Sequence, residues 1–295
     1  MVKEKPKMEL AWLRGLKHID FTQPTVFFTL GKRGGGKSAF LETVASKYLD
    51  NGAKVIDLFG SRDGEGLGWL RSPYVYDREI ALFHGDYVKV NGWNNTIPAT
   101  KFKLEDLDKA DIFISASPFY YNIDDEFNCV NRIVDVLWRR TSWDKPICII
   151  VREASNLLYS RIKISHSQTI AKGDMIYLLR ESRHCGLALA LDSLRFTSID
   201  IDIRALTDFL VIKNTGMHGL PDDLWWVYRI FDPSKLRRLN PSEFAVVSHE
   251  GYLGVGHFDL PGWHKETSEN LLYKLNLSQT YLERPEPKEP RRRWK

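Results

Sequence analysis

The chain has 295 residues, 43% of them hydrophobic, and a formal net charge of +4. That is enough apolar material for one large core, alone or with an extension, and the mild positive charge permits a polyanionic partner without requiring one. Apolar runs such as PICIIV and GLALAL are too short to cross a bilayer, and MVKEKPK lacks the apolar core of a secretory signal, so neither a membrane span nor secretion is expected.

Between Thr25 and Asn214, strand-like apolar runs alternate with helical patterns, the signature of an α/β fold with a mostly parallel sheet flanked by helices. TVFFTL is the first strand, SAFLETVASKYLDNG the first helix with Gly52 as its stop, and AKVIDLF the second strand. YVKV reads as an edge strand and ADIFISAS as another strand, followed by the helix NCVNRIVDVLWRR. Strand ICIIV, helix GDMIYLLRESRHC closed by Gly186, and strands LALAL and DFLVIKN complete the core. Beyond it, PDDLWWVYRI predicts a packed helix, Glu243 to Leu260 a β-hairpin, and ETSENLLYKLNL a last helix. The expected division is an N-terminal extension over 1–24, a core over 25–220, a hairpin and helix extension over 221–282, and a disordered basic tail over 283–295. Cys129, Cys148 and Cys185 are far apart with no metal-ligand spacing, which fits a reduced, cytoplasmic compartment without disulfides or zinc.

GKRGGGKS is the strongest signal. Gly31, Gly36, Lys37 and Ser38 match G-x-x-x-x-G-K-[ST], with a strand before and a helix after. Glycines let the backbone N–H groups curl around a phosphate that any Cβ would obstruct. The expected phosphate contacts are therefore Gly31, Gly34, Gly35, Gly36, Lys37, Ser38 and Ala39, with Lys37 as the compact cation and Ser38 as the hydroxyl ligand of Mg²⁺. The cofactors are ATP and Mg²⁺.

ICIIVREA has the form of the strand that carries the second nucleotide motif, apolar residues ending in two acids. Arg152 stands where the metal-binding aspartate belongs, and Glu153 keeps the place of the water-orienting glutamate. Either Glu153 is catalytic and another acid, or Ser38 with water alone, serves Mg²⁺, or Arg152 and Glu153 are strand-end charges and hydrolysis is weakened or lost. Asp57, at the end of the second strand, is either ligand-facing or a strand-capping acid. Trp69 and Trp93, around the loop GSRDGEG, line a pore or pack the core.

The segment from Arg180 to Lys213, together with the P-loop, resembles the HerA/FtsK group of additional-strand P-loop ATPases. SLRF stands where that group has a TQRP-like element, so Ser193 and Arg195 match in kind while Leu194 replaces a polar sensor glutamine. IDIDIRALTD supplies Asp200, Asp202, Arg204 and Asp208. The resemblance implies a closed ring, a hexamer by expectation, that spends ATP to translocate or package double-stranded DNA. It implies Glu153 and Lys37 as catalytic groups, Arg183 and Arg204 as candidate fingers acting on a neighbour, and Asp192 as a candidate metal acid beside Ser38. Two other classes stay open. An ATP-binding switch or assembly protein with little hydrolysis accommodates Arg152 and Leu194 directly, and a small-molecule kinase would need an acceptor pocket that the sequence does not display.

Overall fold

The computed structural model of the protein describes residues 19–159, 163, 165–200, 204–217, 219–248, 253–266 and 268–283. Most of the expected N-terminal extension, Asp202 and the tail from residue 284 lie outside the described residues.

The apolar runs form the strands expected of them: β1 (Val26–Leu30), β2 (Lys54–Phe59), β6 (Ile112–Ser115), β7 (Ile147–Val151), β8 (Leu187–Ser193) and β9 (Phe209–Ile212). With β3 (Ile80–His84), β5 (Thr96–Pro98), β10 (Glu243–Ser248) and β11 (Leu253–His257) they build one ten-stranded sheet in the order β11-β10-β9-β1-β8-β7-β2-β6-β3-β5. The strands from β9 to β5 run parallel, whereas β10 is antiparallel to both β9 and β11. The predicted hairpin is thus present and continues the core sheet.

Residues on β7 and β8 alternate between two buried faces, which is why these strands read as unbroken apolar runs. Helix α1 (Lys37–Asp50) covers Phe27, Val55, Cys148, Ile150, Ala188 and Ala190. Helices α2 (Ile123–Trp138) and α3 (His166–Arg180) cover Phe28, Ile56, Ile149 and Leu189 on the opposite face. Each fully buried Phe, Leu or Ile contributes about 1.5–3 kcal/mol, and the small Ala188 and Ala190 leave room for α1 to lie close. Strand β8 lies between β1 and β7, with Leu189 paired to Val26 on one side and Ile149 on the other. A strand is thus inserted between the P-loop strand and β7, and the carboxyl ends of β1, β8, β7 and β2 meet at one edge.

Several local expectations are corrected. The helix expected over 173–185 starts earlier, as α3, and breaks at Glu181 before α4 (Ser182–Cys185). YVKV does not join the main sheet; β4 (Val88–Asn91) pairs with β12 (Ser278–Tyr281) in a separate two-stranded antiparallel sheet. The last predicted helix shrinks accordingly: after a turn at 233–236 (α5), α6 covers only Leu271–Lys274, and the chain reverses at Asn276 with φ 52° to form β12. Residues 222–229 form a 3₁₀ helix, and Trp225 and Trp226 are exposed instead of packing it down. Trp69 is a core residue, fully buried against Trp263 at a ring separation of 4.5 Å. Among the described residues no helix is long and apolar enough to cross a membrane.

Candidate functional site

The loop from Gly31 to Gly36 joins β1 to α1 and is fastened from below by the Lys32 N–H donating to the Asn214 carbonyl at 2.7 Å. Gly36 requires its residue type twice over. Its φ is 80°, and a Cβ there would lie 2.2 Å from the Pro241 carbonyl oxygen. A Cβ on Gly34 would meet nothing within 4 Å, so that turn faces open space. No acid occupies the first turn of α1, which leaves the positive end of a 14-residue helix available to an anion. The Ala39 side chain is in the core, so only its N–H can serve a ligand.

A cleft of about 480 Å³ opens over this loop, and Gly34, Lys37, Ser38, Glu65, Glu153 and Leu194 are among its walls. Lys37 is nearly buried, donates to the Lys32 carbonyl at 3.4 Å, and has two carboxylates around it: Asp192 at 3.8 Å and Glu153 at 3.9 Å. Asp192, at the end of β8, also accepts the Glu153 backbone N–H at 2.5 Å. Burial raises the Asp192 carboxyl to about 6, against the pull of Lys37. Glu153 has φ 46° and ψ 52°, left-handed geometry that a non-glycine residue adopts at a cost of about 1–3 kcal/mol. The Asp192 bond fixes that turn, and the Glu153 side chain remains about 38% exposed at the cleft. Lys37, Glu153 and Asp192, chosen from three distant segments, are therefore brought together.

Arg152 points the other way. Its guanidinium is 1% exposed and grips Asp57 through Nε at 3.1 Å and Nη2 at 2.5 Å, with Glu42 of α1 at 3.0 Å and Glu65 at 3.4 Å. Asp57 therefore neither faces a ligand nor caps its strand; it is the counter-ion of Arg152, held also by the Trp69 indole N–H at 3.2 Å. Burial pushes Asp57 up and opposes the charge on Arg152, but Asp57 and then Glu42 hold the guanidinium charged. We take the pair as ionised, because a neutral Asp57 would leave a buried cation one acid short. Gly60 lets β2 approach: a Cβ there would fall 1.9 Å from the Arg152 carbonyl oxygen.

Glu65 carries this cluster to the cleft. Burial opposes its charge, yet Arg152, followed by His264, a hydrogen bond with Ser38 and Lys265, holds its carboxyl below the usual range. Ser38, the expected metal hydroxyl, thus shares the cleft wall with an acid that comes from the loop after β2. Among the described residues no group of three His, Cys, Asp or Glu side chains is arranged to hold a metal alone, so phosphate oxygens would have to complete any divalent-cation site here.

Arg183 and Arg204 lie away from the cleft. Arg183 pairs with Asp208 at 2.8 Å on an exposed surface, and Arg204 pairs with Asp223 at 2.5 Å while lying over the Phe196 ring. Asp208 also accepts the Val26 N–H, and Asp200 pairs with Lys172.

Comparison with solved structures bears on this arrangement. The genome packaging NTPase B204 from Sulfolobus turreted icosahedral virus 2, in complex with sulfate, superposes with a TM-score of 0.50 at 15% identity, covering 80% of this chain and 98% of that one. The bacterial conjugative coupling protein TrwB, lacking its first 70 residues, superposes with a TM-score of 0.58 at 10% identity, covering 81% and 85%. The chain has the fold of the HerA/FtsK-type P-loop ATPases. No protein-family model and no curated protein matches its sequence. The resemblance drawn from the P-loop and the Arg180–Lys213 segment thus agrees with the fold.

Glu42, Glu65, His264 and Lys265 were not singled out by sequence reasoning. Glu42 carried a signal, a lone acid inside the apolar face of AFLETVA one turn after Ser38. His264 and Lys265 carried none, because only the fold brings residues 263–266 back to the P-loop.

Proposed function

We propose that the protein is an ATPase that moves or packages double-stranded DNA as a closed ring, with a hexamer as the expected assembly and the cytoplasm as its place. Its fold is that of a genome packaging NTPase and of a conjugative coupling protein, which supports this class of work. One observation carries the hydrolytic part: Glu153 is held in a strained turn by Asp192, with its carboxylate 3.9 Å from the P-loop lysine.

The N–H groups of Gly34, Gly35, Gly36 and Ala39 and the Lys37 ammonium would hold the phosphates, with Gly31 shaping the entry of the loop. Mg²⁺, when bound with ATP, would supply the charge neutralisation that phosphoryl transfer requires. Ser38 would be its protein ligand. Asp192 would act on it from outside, since that carboxylate already holds the Glu153 N–H, and Glu65, which lines the cleft with Ser38, is a second acid on that side. Glu153 would orient the attacking water. Arg183 or Arg204 of a neighbouring copy would complete the site, after exchanging Asp208 or Asp223 for phosphate. Steady-state ATP hydrolysis with and without double-stranded DNA tests this, using Lys37→Ala and Glu153→Gln as controls. Turnover that rises with DNA and vanishes in both variants supports a motor; background turnover in all three proteins sinks it. A nucleotide-gated switch is the second reading, favoured by one feature: Arg152 fills the place of the metal aspartate and is neutralised inside the core.

A further inference from the structure

His264 and Lys265 line the cleft over the P-loop, and the segment that carries them is pinned at three points. Arg71 donates to the carbonyls of Trp263 at 2.9 Å and His264 at 3.2 Å, and to Glu269 at 2.6 Å. The Trp263 ring packs on buried Trp69. The His264 ring bonds to Glu42 at 2.7 Å. Between these anchors sits Lys265, only 6% exposed and lining the same cleft as Lys37, Ser38, Glu65 and Glu153. Among the described residues no carboxylate lies within 4 Å of its ammonium and no hydrogen-bond acceptor is found for it. The acid it acts on, Glu65, is already engaged by Arg152 and Ser38. A cation whose stem is packed and whose backbone is pinned beside a phosphate loop, with its nearest acid already shared, is arranged to meet an incoming anion.

Resting on the reading that this cleft binds ATP, we infer that Lys265 is a cation supplied by the same chain to the terminal phosphate of the nucleotide. It lies with Ser38, Glu65 and Glu153, the groups of the metal and hydrolysis side, and not along the neighbouring hollow lined by Lys32, Phe196, Thr215 and Pro221. Preference for a triphosphate over a diphosphate then belongs to a single subunit, whatever a neighbour's arginine adds.

The test is equilibrium binding of ATPγS and of ADP, each with Mg²⁺, to the full-length protein by calorimetry, for wild type, Lys265→Met, Lys265→Arg and Lys37→Ala. A charge-assisted phosphate contact predicts that Lys265→Met weakens ATPγS at least tenfold and leaves ADP within twofold, while Lys265→Arg restores most of the difference. The melting temperature without nucleotide should stay level in Lys265→Met, because among the described residues no ion pair within 4 Å is lost and the packed stem is kept. An unchanged ATPγS-to-ADP ratio overturns the inference, as does a parallel loss of both nucleotides with a lowered melting temperature, which would make Lys265 structural. If wild type binds neither nucleotide, the ATP reading itself fails and the inference falls with it.

Discussion

Restoring the usual acid by Arg152→Asp should not restore a metal site; it should unfold the protein. The Arg152 guanidinium holds Asp57 at 2.5 Å and Glu42 at 3.0 Å, all three 1% exposed or less. At an effective dielectric near 20, each contact is worth about 5 kcal/mol before desolvation is charged against it. Loss of one partner from a buried pair costs a net of about 3–5 kcal/mol, and a new carboxylate beside two others adds repulsion. Against a total stability of about 5–15 kcal/mol, that is from a fifth of the total upward, before the added repulsion. Urea titration followed by tryptophan fluorescence suits the question, because Trp69 donates to Asp57. Arg152→Met should lose about 3–5 kcal/mol. The double variant Arg152→Met with Asp57→Leu should recover more than half, because it buries no unmatched charge on β2 and leaves Glu42 to His264. An Arg152→Asp protein within about 1 kcal/mol of wild type would refute the cluster as described.

Glu153→Gly should raise stability by about 1 kcal/mol while abolishing hydrolysis, since glycine accepts φ 46° without strain; a fall in urea midpoint would contradict the strained turn. Gly36→Ala should abolish nucleotide binding and lower the melting temperature, because its Cβ would meet the Pro241 carbonyl at 2.2 Å and the residue would be held at φ 80°. For pH, the Asp192 carboxyl is raised by burial to about 6 from 3.8, so the native state keeps a proton that the unfolded chain has lost. Stability should therefore fall as pH rises from about 4 to about 6, by at most about 3 kcal/mol. Glu126, raised to about 7, has the same sign, so the difference between wild type and Asp192→Asn isolates the Asp192 part; parallel profiles would remove Asp192 as its source.

Strands with both faces buried are legible because burial on both sides forces an apolar run, and β1, β2, β7 and β8 fall within a residue or two of their expected bounds. The P-loop was legible because its glycines answer to local backbone geometry. The helix expected over 266–277 is cut to Leu271–Lys274 because the chain turns at Asn276, φ 52°, to enter β12, whose partner β4 lies nearly two hundred positions away and gives no local signal. The role of Arg152 failed in the same way. A strand-end arginine has no local signature that tells a ligand contact from a core ion pair, and here the acids come from α1 and from the end of β2.

Those acids also tie the departure at Arg152 to the C-terminal segment. Glu42 offers one oxygen to Arg152 and the other to His264, and Glu65 is held by Arg152 on the wall it shares with Ser38. With aspartate at 152, Glu42 would lose the guanidinium, and the bond that seats His264 beside Lys265 would rest on a carboxylate repelled by Asp57. With arginine there, Glu42 is neutralised, His264 is docked, Lys265 is presented to the cleft and Glu65 is steadied next to the metal hydroxyl. The charge reversal at one strand end and the lysine on a distant segment are therefore parts of one arrangement. Under it, Arg152→Met should weaken ATPγS binding through Lys265, and the effects of Arg152→Met and Lys265→Met on that affinity should be less than additive.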